Sequence, residues 1–411
     1  MLKKTEWGKR GIKLKTDKSD ETLILTTQGK IGYSRYVLRP TSKEQREELK
    51  LRTGSRSVVP LDDWLGVSRL PFKMSVKAML EVAFWAQNQC SYQRAEEILK
   101  RNGMAVNDTT AREVANYVGN YVFNRDCGRA EETMAKYDNC EIPFTRDREG
   151  VLYIETDGAA LNTRQKDENG STWRENKLGE VFSSDDVRRW TDKHGKPQHT
   201  LTRKEYVSYI GPVGEFRKHL LACAIRNGYG SYKETVLLCD GAAWIRNMKD
   251  ELFPDAQQIL DFYHLCKNVN DYAKCVFGLD EALYRPWAEQ VCNALKAGRY
   301  MDVLRELGKP SEKRGAAASS VNLHGYIENN SSNIDYPTYI GKGYFIGSGA
   351  IESGNKVVLQ QRLKQAGMRL HVSSAQPLLT LKAKCESNLW EKDVVAPFTS
   401  EFVGRRIAEL S

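Results

Sequence analysis

Val151-Leu-Tyr-Ile-Glu-Thr-Asp157-Gly158 and Thr235-Val-Leu-Leu-Cys-Asp240-Gly241 are two short apolar runs, each ending in an aspartate followed by glycine. Bounded runs of this kind predict buried β-strands that place a carboxylate at the strand terminus. Working outward, Thr172 to Phe182 and Thr200 to Ile210 alternate as two further strands, able to pair with the first in an antiparallel meander. A helix is predicted from Val213 to about Arg226. After the second aspartate come a helix from Ala242 to Leu252, a strand at Gln258-Ile-Leu, and a helix starting near Tyr263.

The resulting order, β-β-β-α-β-α-β-α, is that of the ribonuclease-H-like fold: an α/β class with a mixed sheet flanked by helices on both faces. The expected core so read covers residues 143–264. A C-terminal tail takes 396–411. Upstream, residues 1–59 read as a basic arm with a β-hairpin, Thr22 to Thr27 and Lys30 to Leu38 around Gln28-Gly29. The charged stretch Lys43 to Arg56, with Pro60 and Pro71, reads as a linker. Residues 60–142 read as a helical, helix-turn-helix-like DNA-binding region. One helix begins near Met74, a second is capped by Ser91, and a third has apolar positions at Ala111, Val114, Ala115, Val118 and Val122, with Thr110-x-x-Glu113 as a capping box. That third helix presents Arg112, Asn116 and Asn120 on its polar face, residue types that bond base edges or phosphates; ordinary helix packing is the other reading. Gly315-Ala-Ala-Ala-Ser-Ser is a flexible loop.

The net charge is +9, and residues 1–56 hold 15 Lys/Arg against 7 Asp/Glu, so almost all of the excess lies in the arm. Such an arm either neutralises phosphates in a salt-sensitive manner or is a solvated surface. No run approaches a membrane span and no apolar stretch follows the basic start, so a cytoplasmic protein without membrane contact is expected. The nine cysteines are odd in number, form no CxxC, and are expected to be reduced and buried.

Two Asp-Gly pairs at matched strand ends suit a hard divalent cation with oxygen ligands, because glycine lets metal or phosphate approach the backbone; taken singly, each is also an ordinary turn dipeptide. A third carboxylate is offered by Ile346-Gly-Ser-Gly-Ala-Ile-Glu352-Ser-Gly-Asn-Lys356. Here Glu352, Lys356, Leu359 and Leu363 should share a helix face, although a helix-start glutamate is common for dipole reasons alone. Trp244, one turn beyond Asp240, reads as core or as a stacking platform.

With Asp157-Gly, Leu238-Cys-Asp240-Gly-Ala-Ala-Trp-Ile, Ile259-Leu-Asp261-Phe-Tyr-His264, and Gly347-Ser-Gly-Ala-Ile-Glu352-Ser followed by Gln361-Arg-Leu-Lys-Gln-Ala-Gly-Met-Arg369, the sequence resembles the DDE transposases of bacterial insertion sequences, in the branch akin to the Mutator-like superfamily. The likeness runs from about residue 60 to 393, and it implies that the core resumes over 345–395 after an α-helical insertion at 265–344. It implies a DNA transposase that binds element ends and catalyses metal-dependent strand cleavage and strand transfer. Asp157, Asp240 and Glu352 would be catalytic and would bind two Mg2+ (or Mn2+) ions, with Asp261 and His264 orienting the phosphate or a ligand. His264 can also be read as a capped, hydrogen-bonded helix-start residue. Lys356, Arg362, Lys364 and Arg369 would hold DNA, or form a solvated basic face. The implied partners are element-end and target DNA and a second copy of the chain, in a homodimer or larger assembly at the bacterial nucleoid. A ribonuclease-H-like nuclease without strand transfer, and a catalytically silent transposase-derived DNA-binding protein, are the alternatives. Relatives with cysteine pairs near the hairpin differ from this chain, whose first cysteine is Cys90.

Overall fold

The structure, a computed structural model, describes residues 13–195, 197–308 and 322–404. The first twelve residues of the basic arm, the Gly315 loop and the last part of the C-terminal tail lie outside the described residues. The chain divides into two compact units, one drawn from residues up to Arg125 and from Gln361 onward, the other from Asp126–Gln360.

The first unit opens on an antiparallel hairpin, β1 (Leu14–Thr26) and β2 (Gly29–Pro40), longer at both ends than its sequence signal. Its turn needs Gly29, whose φ is +100°. The expected linker is instead a helix, α1 (Lys43–Thr53). The Ser42 side chain accepts from the Gln45 amide at its start, and Gly54 in the left-handed region donates to the Lys50 carbonyl at its end. Dense charge there marks a solvated helix. α2 (Pro60–Trp64), α3 (Val76–Asn88) and α4 (Tyr92–Arg101) follow, then α5 (Asp108–Asp138), of which this unit takes the part up to Arg125. Ser91 caps α4 as expected, accepting from Arg94. The cap of α5 is Asn107, which accepts from the Thr110 amide, so Thr110 lies inside the helix and forms no capping box. Met79, Leu80 and Ala83 of α3, Leu99 of α4, and Val114, Val118 and Val122 of α5 bury together with Leu381, Val394 and Phe398. Gly119 allows α5 to approach the helix Val372–Glu386 closely: a Cβ there would stand 2.6 Å from the Pro377 carbonyl oxygen.

The second unit is built on a five-stranded mixed sheet. Its strands are β3 (Arg148–Asn162), β4 (Trp173–Ser183), β7 (Glu205–Ile210), β8 (Tyr232–Cys239) and β9 (Gln257–Leu260), in the order β7-β4-β3-β8-β9. β3, β4 and β7 are antiparallel neighbours, whereas β8 and β9 run parallel to β3. The predicted strand Thr200 to Ile210 is two elements. Its first part, β6 (Pro197–Leu201), pairs with β5 (Val187–Thr191) in a separate ribbon, and only β7 joins the sheet. Thr202-Arg203-Lys204 breaks the run, and the polar, exposed β5 carries no apolar alternation to reveal it.

Both faces of the sheet are covered, which is why the β3 and β8 runs are mostly apolar on both faces. Leu152, Ile154, Leu237 and Cys239 face α6 (Val213–Arg226) and α7 (Ala243–Leu252) through Phe216, Leu220, Ile245 and Met248. Tyr153, Val236 and Leu238 face the other way, onto Leu265 and Val269 of α8 (Phe262–Phe277). That layer is extended by α9 (Glu281–Lys296), α10 (Tyr300–Leu307), α11 (Leu323–Asn329) and α12 (Tyr336–Gly341). α13 (Gly349–Gly354) then runs into a π-helical turn, Asn355–Gln360. All nine cysteines are free, but only Cys223 and Cys239 are buried. Among the described residues no helix is long and apolar enough to cross a membrane.

Candidate functional site

Asp157 does not end its strand. It lies inside β3, paired with Leu178 of β4, but the parallel ladder with β8 stops at Glu155 and Leu238. Two residues further along the same register are Asp157 and Asp240, so the aspartates stand side by side where β8 has ended and the β3 edge is open. Period-two alternation puts both on the face covered by α8. Each carboxylate is held. Asp157 accepts from its neighbour's amide, Gly158 N, at 2.8 Å and from Asn355 Nδ2 at 2.7 Å. Asp240 accepts from the Ala242 amide at 2.9 Å, while its carbonyl accepts from the Tyr326 hydroxyl at 2.7 Å. Gly241 has φ +85°, and a Cβ there would meet the Asn330 side chain and Leu260 at 2.9 Å, so glycine is required after this aspartate.

Asp261 and His264 open α8. Asp261 caps the helix, accepting from the Tyr263 and His264 amides, and its other oxygen takes the His264 Nδ1–H at 3.1 Å together with the Ser348 amide and hydroxyl. One buried carboxylate thus ties α8 to the strap leading into α13. Burial opposes its charge, but the bonds from His264 and Ser348 outweigh burial and hold Asp261 below the usual aspartate range. The Asp261 bond raises the His264 pKa, against the effect of burial, and fixes the imidazole with Nε2 free for a ligand or a phosphate.

Among the described residues, the three ligating side chains whose ligand atoms all lie within 4.8 Å of one another are Asp261, His264 and Glu352, a group that could hold a metal ion. Glu352 therefore stands beside the Asp261–His264 pair instead of closing a trio with both aspartates. It is nonetheless within electrostatic reach of them. Burial raises the Asp157 pKa, Asp240 and Glu352 raise it further, and the Gly158 amide and His264 oppose. Oxygen and imidazole donors around mutually repelling carboxylates suit a divalent cation. Glu352 and Lys356 are exposed whereas Leu359 and Leu363 are buried, so the expected shared face does not form. The π-helical turn between them adds a residue per turn and defeats the i, i+4 count.

Beneath the acids lie two residues that the sequence reading passed over. Glu155 and Glu180 are directly opposed across β3 and β4, 1% and 0% exposed. Glu155 accepts from the Ile351 amide, in the first turn of α13, and so fixes the helix that carries Glu352. Burial, then Glu180, push its pKa well above the usual glutamate range. Glu180 is raised by burial to about 7, although Lys204 stands 3.3 Å away. Gly354 makes room for this pair; a Cβ there would lie 2.6 Å from the Tyr206 ring and 3.2 Å from a Glu180 oxygen. The only sequence signal was a charged residue inside each apolar strand.

The expected DNA-binding side chains do not form one group. Asn116 is half-buried and donates to Ser374 at 3.1 Å, packing against its own unit, while Arg112 is exposed. Arg362 is 2% exposed, bonded to the Ala86 and Cys90 carbonyls and stacked on Tyr92, so it is a core residue and not a phosphate contact. Lys364 and Arg369 are exposed in the first unit, and Lys356 is exposed in the second. Trp244 packs edge-to-face on Phe216 beside the core. No protein-family model matches the chain, and no curated protein matches it.

Proposed function

We propose that the second unit is the ribonuclease-H-like catalytic core of a DDE-type DNA transposase, with Asp157, Asp240 and Glu352 as its acids. The observation that carries this reading is the register of β3 and β8. It sets two aspartates from distant parts of the chain next to each other at the open edge of β3, and α13 is bound to the same strand through Glu155 and through Asn355 on Asp157. The strand order β7-β4-β3-β8-β9, three antiparallel strands followed by two parallel ones, supports the fold assignment.

Magnesium or manganese would be held by Asp157 and Asp240 on one side and, on the other, by Glu352, which stands with Asp261 and His264. When bound, such cations stabilise the charge that develops on a phosphodiester under attack. The chain's own residues prepare that site. The Gly158 amide and Asn355 orient Asp157, and the Ala242 amide orients Asp240. Asp261 holds His264 and favours its protonated form, whose Nε2–H donates to a phosphate oxygen. Pairing of two element ends calls for at least two copies of the chain.

The test is cleavage of a labelled duplex carrying the terminal sequence of the encoding element, comparing wild type with Glu352→Gln in magnesium. The expected result is that both bind and only wild type cuts. Equal cutting by the variant removes Glu352 from the site and turns attention to Asp261. Covalent joining of a cut end to a second duplex separates a transposase from a nuclease on the same fold, and binding without cutting by wild type favours the silent DNA-binding protein.

A further inference from the structure

The β5–β6 ribbon has no part in the acid site. It leaves the sheet after β4 and returns just before β7, and its register pairs Val187 with Leu201, Arg188 with Thr200, Arg189 with His199 and Trp190 with Gln198. Alternation divides it into two faces. The inner face is anchored: Val187 and Leu201 pack on the core layer that contains Tyr153 and Phe182. His199 lies 4.9 Å from the Phe345 ring centroid, and the Arg189 guanidinium lies 5.9 Å over the same ring. Phe345 begins the strap that delivers Ser348 to Asp261, so the ribbon is rooted on a segment of the candidate site. The outer face carries Arg188 and Trp190, both exposed, the indole at 45%. At the tip, Asp192 accepts from the His194 amide and the Gly195 amide donates to the Asp192 carbonyl. This turn leaves Lys193 and His194 exposed. Among the described residues neither Arg188 nor Lys193 has an acidic partner, unlike most of the basic side chains elsewhere in this unit.

An exposed aromatic flanked by unpaired cations, on a two-stranded ribbon held rigid by its inner face, is a poor solvated surface and a good match to polyphosphate. A two-stranded ribbon also has the width of a B-DNA major groove. We infer that the outer face of the ribbon binds duplex DNA, with Arg188 and Lys193 on phosphates and Trp190 against the groove. The ribbon follows β4, whose last residue, Ser183, stands opposite Leu152, five residues of extended β3 before Asp157, about 17 Å along that strand. The inference takes from the proposed function only that the chain meets DNA.

The experiment is fluorescence anisotropy of a labelled random duplex, about three helical turns long, titrated with full-length protein over a range of salt in EDTA. Without magnesium, a chain that never cuts still tests the ribbon. Arg188→Ala/Lys193→Ala is expected to weaken binding and to lower the slope of log K against log salt by about 2, near 0.9 for each lost phosphate contact. Arg188→Lys/Lys193→Arg should keep the wild-type slope, and Trp190→Ala should weaken binding with the slope unchanged. Lys193→Glu, in the exposed turn, serves if the double alanine variant does not melt like wild type; it too must lower the slope. An unchanged slope in a normally melting variant overturns the inference. So does an equal loss with single-stranded DNA of the same length, which would mean that the ribbon does not read a duplex. Ribbon variants that bind like wild type leave the catalytic reading standing.

Discussion

The two units differ in acid that is buried without a full set of partners. In the first, each deeply placed carboxylate has cations or hydroxyls of its own: Asp62 takes Tyr33 at 2.7 Å and Arg35, and Asp393 takes Lys384 at 3.1 Å with Arg125 at 3.9 Å. In the second, Glu205 is paired with Arg226 and Asp261 with His264 and Ser348, but Glu155 and Glu180 are buried face to face with Lys204 as the nearby cation, and Asp157 is raised by burial and by Asp240 and Glu352. A buried charge without a full complement of partners is costly, and chains keep such sites where charge is used and not merely balanced. The contrast picks out the same acids as the motifs do, by a physical criterion that uses no motif.

The comparison can be broken by substituting one member on each side. The largest effect is expected in the first unit, where Lys384→Met takes the cation 3.1 Å away from the buried Asp393; about 3–5 kcal/mol of stability should be lost, read as a fall in the urea midpoint. Magnesium should act on the second unit, raising the melting free energy by about 2.7 kcal/mol at a hundredfold excess over Kd. Asp157→Asn combined with Glu352→Gln should abolish that gain in calorimetry. Asp157→Asn alone, in EDTA, should raise Tm by a few degrees, because it removes a charge repelled by Asp240 and Glu352; a fall in Tm would remove the contrast between the units.

The smallest effect is a pH dependence. Glu180 has a folded pKa raised to about 7 by burial, so its contribution is fully present below the ordinary glutamate value and is lost as pH rises through about 7. Glu180→Gln should flatten that decline in urea midpoints taken between about pH 5 and pH 9. An unchanged profile would mean that Lys204 keeps Glu180 ionised throughout, and would make the second unit resemble the first.

The local signals in the chain were sufficient for much of this. The apolar runs before Asp157 and Asp240 became β3 and β8, because strands covered on both faces are mostly apolar on both. Ser91 capped its helix, because a side-chain oxygen before a helix start has a nearby amide to accept from. The exposed ribbon strand β5 left no such trace, since nothing apolar in Arg188-Arg189-Trp190-Thr191 marks a face. The charged helix α1 was hidden for the same reason.

What sequence by itself determined is therefore the strands of the main sheet and the chemical types of the site: aspartates followed by glycine, a histidine one turn from an aspartate, and a late glutamate. Only the tertiary structure decided which of them meet. The β3–β8 register set Asp157 beside Asp240, Asp261 drew Ser348 and with it Glu352 toward His264, and the buried Glu155 fixed the turn that carries Glu352. A hydrogen bond between residues almost two hundred positions apart leaves no mark on either local stretch. It follows from the packing of elements, which depends on every layer of the fold at once.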